Sequence, residues 1–257
     1  MPLTGRDPSS VRKGHSTGGD VRLNAAATRA GLLSRPAPEA APPKEATRVL
    51  GELYEDALAG LTRPEIEYSD GRRTPLRIDD WLHAIPGDSS ILDRCQGPTL
   101  DVGSGPGRLT VALAERGVPV LGIDITPAAV HLARSSGALA LHRDVFATVP
   151  GTGRWARVLL ADGNAGIGGD PDALLSRVAE LLKPLGQALV EVEPPGAPLA
   201  REMVRLSHAG RCSSWFPWAS IGADQISELA LRAGLAVTEV WTDAGRWFAA
   251  VSRGIDS

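Results

Sequence analysis

The sequence is poor in several features that mark whole protein classes. Of its 257 residues only two are cysteines, Cys95 and Cys212. They lie far apart, outside any Cys-x-x-Cys or His-rich spacing, so they supply neither a zinc site nor a disulfide framework. Both read as buried or incidental thiols of a reducing compartment, and no metal is expected. No apolar run approaches the roughly 18 residues of a membrane-spanning helix, and the N-terminal stretch lacks a signal-peptide core. A cytoplasmic protein is the expectation. Charge of one sign is also lacking: 27 Lys and Arg stand against 30 Asp and Glu, a net charge of −3. No field therefore draws the body of the protein onto nucleic acid or anionic lipid, which leaves small molecules as the expected partners. Aromatic residues are 4 % of the chain, with none in the first 45 residues. That opening stretch also lacks helical or strand periodicity. It cannot bury enough apolar surface to offset its ordering entropy, which predicts a disordered tail over residues 1–45. Its excess of arginine leaves two readings, a solvated extension or a basic targeting or nucleic-acid tail. The missing aromatics favour the first.

What is present centres on residues 98–124. A short apolar run ends at Asp101-Val102, passes into Gly103, Gly105 and Gly107, and continues as a helical pattern at Leu109, Ala112 and Leu113. The order is strand, tight turn, helix. Glycines here permit the sharp turn, let a ligand approach bare backbone and allow close packing of the helix. A second strand, Pro119 to Ile125, ends in Asp124, about where nucleotide-binding folds place an acid on ribose hydroxyls. Dinucleotide enzymes favour Gly-x-Gly-x-x-Gly, which would need glycine at position 108, where this chain has Arg108.

The tighter Asp101-Val-Gly103-Ser-Gly105-Pro-Gly107 pattern resembles the first motif of class I S-adenosylmethionine-dependent methyltransferases. The resemblance spans roughly residues 98–253. It implies an α/β fold: a three-layer Rossmann-like sheet of seven strands whose last strand is antiparallel, with a helical N-terminal preface. The expected division is a tail over 1–45, a helical cap over 46–97 and a cofactor-binding domain over 98–257. It also implies S-adenosylmethionine as cofactor, held by Asp101, Gly103, Ser104, Gly105 and Gly107. Asp124 with Ile125 would serve the ribose, Asp144 with Val145 the adenine, and Ala161 would complete the set at the end of the fourth strand.

The remaining segments fit that plan. Residues 46–61 carry one apolar helical face. Asp88 is expected to cap a helix leading into the central strand. Thr126-Pro127 and Asp170-Pro171 open two further helices. Trp155 to Ala161 is apolar enough for a central parallel strand, and it runs into a second glycine-rich loop, Asp162 to Gly169. Lys183-Pro-Leu-Gly186 resembles the family's Leu-Leu-Lys-Pro-Gly-Gly turn, with Leu185 where glycine is usual. Strands Ala236–Trp241 and Arg246–Ser252 lie too close for a helical crossover, so they form a hairpin.

For chemistry, Asp162 is the candidate base and Asn164 the group orienting the acceptor; Asp162 capping its own loop is the alternative. Tyr54, Trp215 and Trp218 are candidate substrate residues. With Arg201, Arg205 and Arg211 nearby, the segment from Gly196 to Ile221 reads either as the wall of a pocket for an aromatic or anionic molecule or as a packed loop. The expected function is methyl transfer to a small molecule, mainly by proximity and orientation. A cofactor-binding scaffold without turnover and a nicotinamide-dependent oxidoreductase are the alternatives. The oligomeric state is not legible.

Overall fold

The computed structural model describes residues 44–254. The tail expected over residues 1–45 lies outside the described residues, except that Lys44 and Glu45 already belong to the first helix. In chain order come α1 (Lys44–Leu58), β1 (Glu65–Tyr68), β2 (Arg73–Pro75), α2 (Ile78–Leu82), α3 (Asp88–Leu92) and β3 (Thr99–Val102). Next are α4 (Arg108–Glu115), β4 (Val120–Asp124), α5 (Pro127–Ser135), β5 (Ala140–His142) and β6 (Trp155–Leu160). A 3₁₀ turn (Asn164–Gly166) leads to α6 (Pro171–Leu181), β7 (Leu182–Val192), β8 (Ala200–His208), β9 (Arg211–Cys212) and β10 (Phe216–Ser220). The chain ends with α7 (Ile226–Arg232), β11 (Leu235–Asp243) and β12 (Arg246–Arg253).

Seven strands form the main sheet in the order β11-β12-β7-β6-β3-β4-β5. β3 to β7 are mutually parallel, and β12 enters antiparallel between β7 and β11. All four residues of β3 are buried, as an apolar strand in the middle of a covered parallel sheet must be. The β11–β12 hairpin turns on Ala244 and Gly245, both at positive φ, 51° and 80°. That is the backbone sense that matches the right-handed twist of the flanking strands. Leu185 takes φ 60° where the related turn has glycine. Asp170 caps α6 as expected, its carboxylate accepting from the Asp172 and Ala173 amides.

A second sheet overlies the carboxyl ends of the first. Its order is β10-β8-β1-β2, with β9 beside β8 and every pairing antiparallel. The expected helical cap is therefore only partly helical. Its β1–β2 hairpin joins strands from the segment after β7, and Ile66 pairs with Leu206. Strands of three or four residues carry too few alternations to be read without their partners. α1 lies between this sheet and α5, burying Leu53, Ala57 and Leu58 against Leu206, Ile78 and Ala129.

The second glycine-rich loop is where the two sheets meet. Ile167 forms a bridge with Trp218, and a Cβ on Gly166 would overlap the Ala219 carbonyl oxygen and approach the Trp218 indole nitrogen to 2.7 Å. Gly166→Ala should therefore force β10 off the loop and cost about 1–3 kcal/mol, the usual range for overpacking. Thermal unfolding checks this, and a melting temperature equal to that of the parent protein would refute it.

Candidate functional site

Two cavities meet at the carboxyl ends of the parallel strands. One, of about 310 Å³, lies beyond β4 and β5 and is walled by Asp124, Ile125, Asp144, Val145, Phe146 and Ile167. The other, of about 190 Å³, lies beyond β3 and β6 beneath the small sheet. Its wall includes Tyr54, Tyr68, Trp81, Phe216 and Trp218, together with Gly103, Gly105, Asp162 and Asn164. Tyr54, Gly103, Thr126, Asn164, Phe216 and Trp218 border both, so the two adjoin.

The β3–α4 turn is shaped by left-handed glycines. Gly103 has φ 70° and Gly105 φ 54°, conformations that cost an L-residue about 1–2 kcal/mol. A Cβ on Gly103 would meet the Asn164 side chain within 2.9 Å, whereas one on Gly105 would meet nothing within 4 Å. Gly103 thus makes room for a protein group, and Gly105 leaves open space in the cavity wall. Asn164 fills the room so created. Its Nδ2 donates to the carbonyls of Val102 and Gly103 at 3.0 and 2.9 Å. Both amide hydrogens are thereby used, and its Oδ1 is left to accept.

Asp124 stands at the end of β4, accepting from the Gly105 amide through Oδ2 (2.9 Å) and the Thr126 amide through Oδ1 (2.7 Å). Each oxygen keeps a further lone pair. Asp144 follows β5, with Oδ1 accepting from the Phe146 amide at 2.9 Å.

Asp162, at φ 56°, sits in a network of buried charge. Its two oxygens accept from Arg108 Nη2 at 2.7 and 2.6 Å. Arg108 also donates to Asp88, and Arg246 binds Asp88 (2.8 Å), Asp162 (3.3 Å) and both oxygens of Glu191 (2.8 and 2.7 Å). Burial pushes the Asp162 carboxyl above the ordinary aspartate value, while Arg108 pulls the other way. Asp88 is thus no helix cap: Gly87 holds that position, and the Asp88 carboxylate accepts from the Ile85 amide and the two arginines.

Several residues expected at the cofactor or substrate line neither cavity. Asp101 is 2 % exposed and bonded by the Thr110 hydroxyl at 2.6 Å, outside both cavity walls. Gly107 packs against Ala133 of α5, where a Cβ would come within 2.8 Å. Ser104 Oγ is buried without a partner, and Ala161 lies in the core under α4; neither borders a cavity. Trp215 is also outside, its ring beneath the Arg205 guanidinium at 4.6 Å. In β10, residues two apart share a face, so Phe216 accompanies Trp218 into the cavities. Period-two alternation was the signal for Phe216 and against Trp215. The arginines of this segment turn outward: Arg201 binds Asp172, Arg205 binds Glu67 and Arg211 binds Asp56. None of them borders the aromatic cavity, so they build no anion pocket there.

Burial raises the Asp101 carboxyl from near 3.8 to about 7. The folded state then holds this proton more tightly than the unfolded chain, so this group's contribution to stability falls as pH rises from about 4 to about 7 and is level above. Asp101→Asn should remove that slope, making the variant at least as stable as the parent at pH 8. Melting curves from pH 4 to 8 check this, and parallel pH profiles for the two proteins would refute it.

Among the described residues, no group of three or more His, Cys, Asp and Glu side chains converges to hold a metal ion. No described helix is long and apolar enough to cross a membrane.

Residues 99–186 match the family of methyltransferase domains. The fold is similar to that of an S-adenosylmethionine-dependent methyltransferase from Bacteroides fragilis in complex with S-adenosyl-L-homocysteine. That match has a TM-score of 0.70 at 19 % identity, covering 82 % of this chain and 96 % of the other. It is also similar to 1,6-didemethyltoxoflavin-N1-methyltransferase from Burkholderia thailandensis, with a TM-score of 0.50 at 21 % identity, covering 86 % of this chain and 93 % of the other. Residues 99–186 thus match a methyltransferase domain, and with the antiparallel β12 in place the fold is the one these S-adenosylmethionine-dependent methyltransferases share.

Proposed function

We propose that the protein transfers a methyl group from S-adenosylmethionine to a small-molecule acceptor. The observation that carries this reading is the paired cavity: one half rimmed by the carboxylates of Asp124 and Asp144, the other walled by aromatic rings, the two joined at Gly103 and Asn164. The donor set fits the cofactor. Asp124 and Asp144 offer acceptors for ribose hydroxyls and the adenine amine, and the bare backbone at Gly105 leaves room for the amino-acid part. When bound, the cofactor supplies a methyl already activated by its sulfonium.

The chain's own residues then have to align the acceptor and exclude water. Tyr54, Trp81, Phe216 and Trp218 present flat apolar walls suited to an aromatic acceptor. Asn164 Oδ1 accepts a hydrogen bond from the acceptor's N–H or O–H. Asp162 is the sole carboxylate of the aromatic cavity among the described residues, and burial shifts its proton affinity in the direction a general base needs. The relative from Burkholderia thailandensis, crystallised with 1,6-didemethyltoxoflavin, is an instance of a small-molecule acceptor on this fold.

Calorimetric titration with S-adenosylmethionine, S-adenosylhomocysteine and NAD(P) tests the cofactor: heat from NAD(P) alone would overturn the reading. Incubation with methyl-labelled cofactor and a metabolite extract tests turnover. Label that stays on the cofactor would point instead to a binding scaffold.

A further inference from the structure

Four polar side chains, Tyr54, Thr126, Asn164 and Trp218, border both the aromatic cavity and the cavity beyond β4 and β5. Two of them are engaged elsewhere. The Thr126 amide donates to Asp124 at 2.7 Å, which keeps that residue beside the β4 acid, and the Trp218 indole nitrogen lies against Gly166. Asn164 has both amide hydrogens on the Val102 and Gly103 carbonyls, so its side chain meets a ligand only as an acceptor.

Tyr54 meets a ligand in the opposite sense. Its ring stacks on Trp81, with centroids 6.0 Å apart and planes at 27°, and its hydroxyl makes no hydrogen bond within the described residues. Burial, and after it the charge of Asp124, holds the phenol above its ordinary pKa, so the proton stays on and the group donates. A hydroxyl withdrawn from water without a partner costs free energy, which a ligand group can restore.

Charge is the other constraint. Among the described residues that line the aromatic cavity none is Lys, Arg or His. Asp162, the one carboxylate there, already has both oxygens on Arg108 and Oδ1 near Arg246. An anion in the cavity would lose its hydration and gain no counter-charge, and a cation would face a carboxylate already answered by two arginines. We infer that the acceptor is an uncharged aromatic molecule with two polar groups of opposite sense: an O–H or N–H that donates to Asn164, and a carbonyl or ring nitrogen that accepts from Tyr54. This rests on the reading of the two cavities as cofactor and acceptor sites.

The probes are 3- and 4-hydroxyacetophenone, which carry both groups at two spacings, and three sets of near-isosteres. The ethylphenols lack the carbonyl, the methylacetophenones lack the hydroxyl, and the hydroxybenzoates put a charged oxygen in place of the acetyl methyl. Each is titrated calorimetrically into the full chain saturated with S-adenosylhomocysteine, at a pH where the phenols are protonated. The better hydroxyacetophenone should bind about tenfold more tightly than the ethylphenol and the methylacetophenone of its own spacing, each of which forgoes one hydrogen bond. Its hydroxybenzoate should bind weakest. Tyr54→Phe keeps the ring on Trp81 and should erase the preference over the ethylphenol, while S-adenosylhomocysteine binds as it does to the parent. Tyr68→Phe, which removes the other phenol of the cavity, should retain that preference. A hydroxyacetophenone no tighter than its ethylphenol, a hydroxybenzoate that binds tightest, or no binding of any probe would overturn the inference. So would a preference that survives Tyr54→Phe, the result expected if this hydroxyl serves the cofactor instead. Failure of S-adenosylhomocysteine to bind the parent would overturn the proposed function, so the two failures are distinguishable.

Discussion

Asp124→Ala should raise the dissociation constant for S-adenosylhomocysteine about a hundredfold or more. The carboxylate ends β4 in the wall of the cavity beyond β4 and β5, where a ribose diol would take two charge-assisted hydrogen bonds of about 1.5–3 kcal/mol each. Two such bonds are worth at least about two orders of magnitude in affinity. The substitution also unties the Gly105 amide, which Asp124 now holds at 2.9 Å, so the cradle for the amino-acid part loosens as well. Asp124→Asn keeps one oxygen for the backbone amides and should fall between the two. Calorimetric titration decides it: a dissociation constant unaltered by the alanine would place the ribose elsewhere.

The second large effect should come from Arg246→Met, which should lower the melting temperature by on the order of 10 °C. Arg246 is 14 % exposed and reaches Asp88, Asp162 and Glu191 at once. Removing one member of a buried ion network strands its partners and costs about 3–5 kcal/mol. In a chain of this size each kcal/mol shifts the midpoint by about 2–4 °C. The stranded carboxylates would regain protons as pH falls, so the deficit should narrow between pH 8 and pH 5. Scanning calorimetry at both values checks this; a deficit that widens in acid would show that charge stranding is not the cause. The network joins α3, the start of α4, the loop after β6 and the start of β12, so the variant should also loosen the floor beneath Asp162.

The parts of this design that could be read in advance were those repeated along the chain. Asp101 to Gly107 and the β4 acid at Asp124 imply a strand, a turn, a helix and a second strand because short apolar runs and glycine placement are local. The hairpin at Ala244-Gly245 was legible for the same reason, since two strands so close together have no room for a crossover. Other readings erred where one letter could serve two ends. Glycine at position 107 was named both as a cofactor residue and as the glycine that lets the helix pack, and its Cβ position is filled by Ala133. Asp88 had the look of a cap and belongs to a charge network whose partners lie 20 and 158 residues away. Trp215 and Trp218 were paired by composition, and strand geometry puts only the second in the cavities.

By itself, then, the sequence determined the class of fold, the glycine-rich turn after β3 and the acid that ends β4, because each is a short-range pattern enforced by backbone sterics and burial. The tertiary structure alone decided the aromatic cavity. There the strands at 65–75 and 200–220 close into one sheet over the cavity. The physical reason is that a pocket wall is a pairing between distant segments, and the free energy of that pairing belongs to neither segment alone.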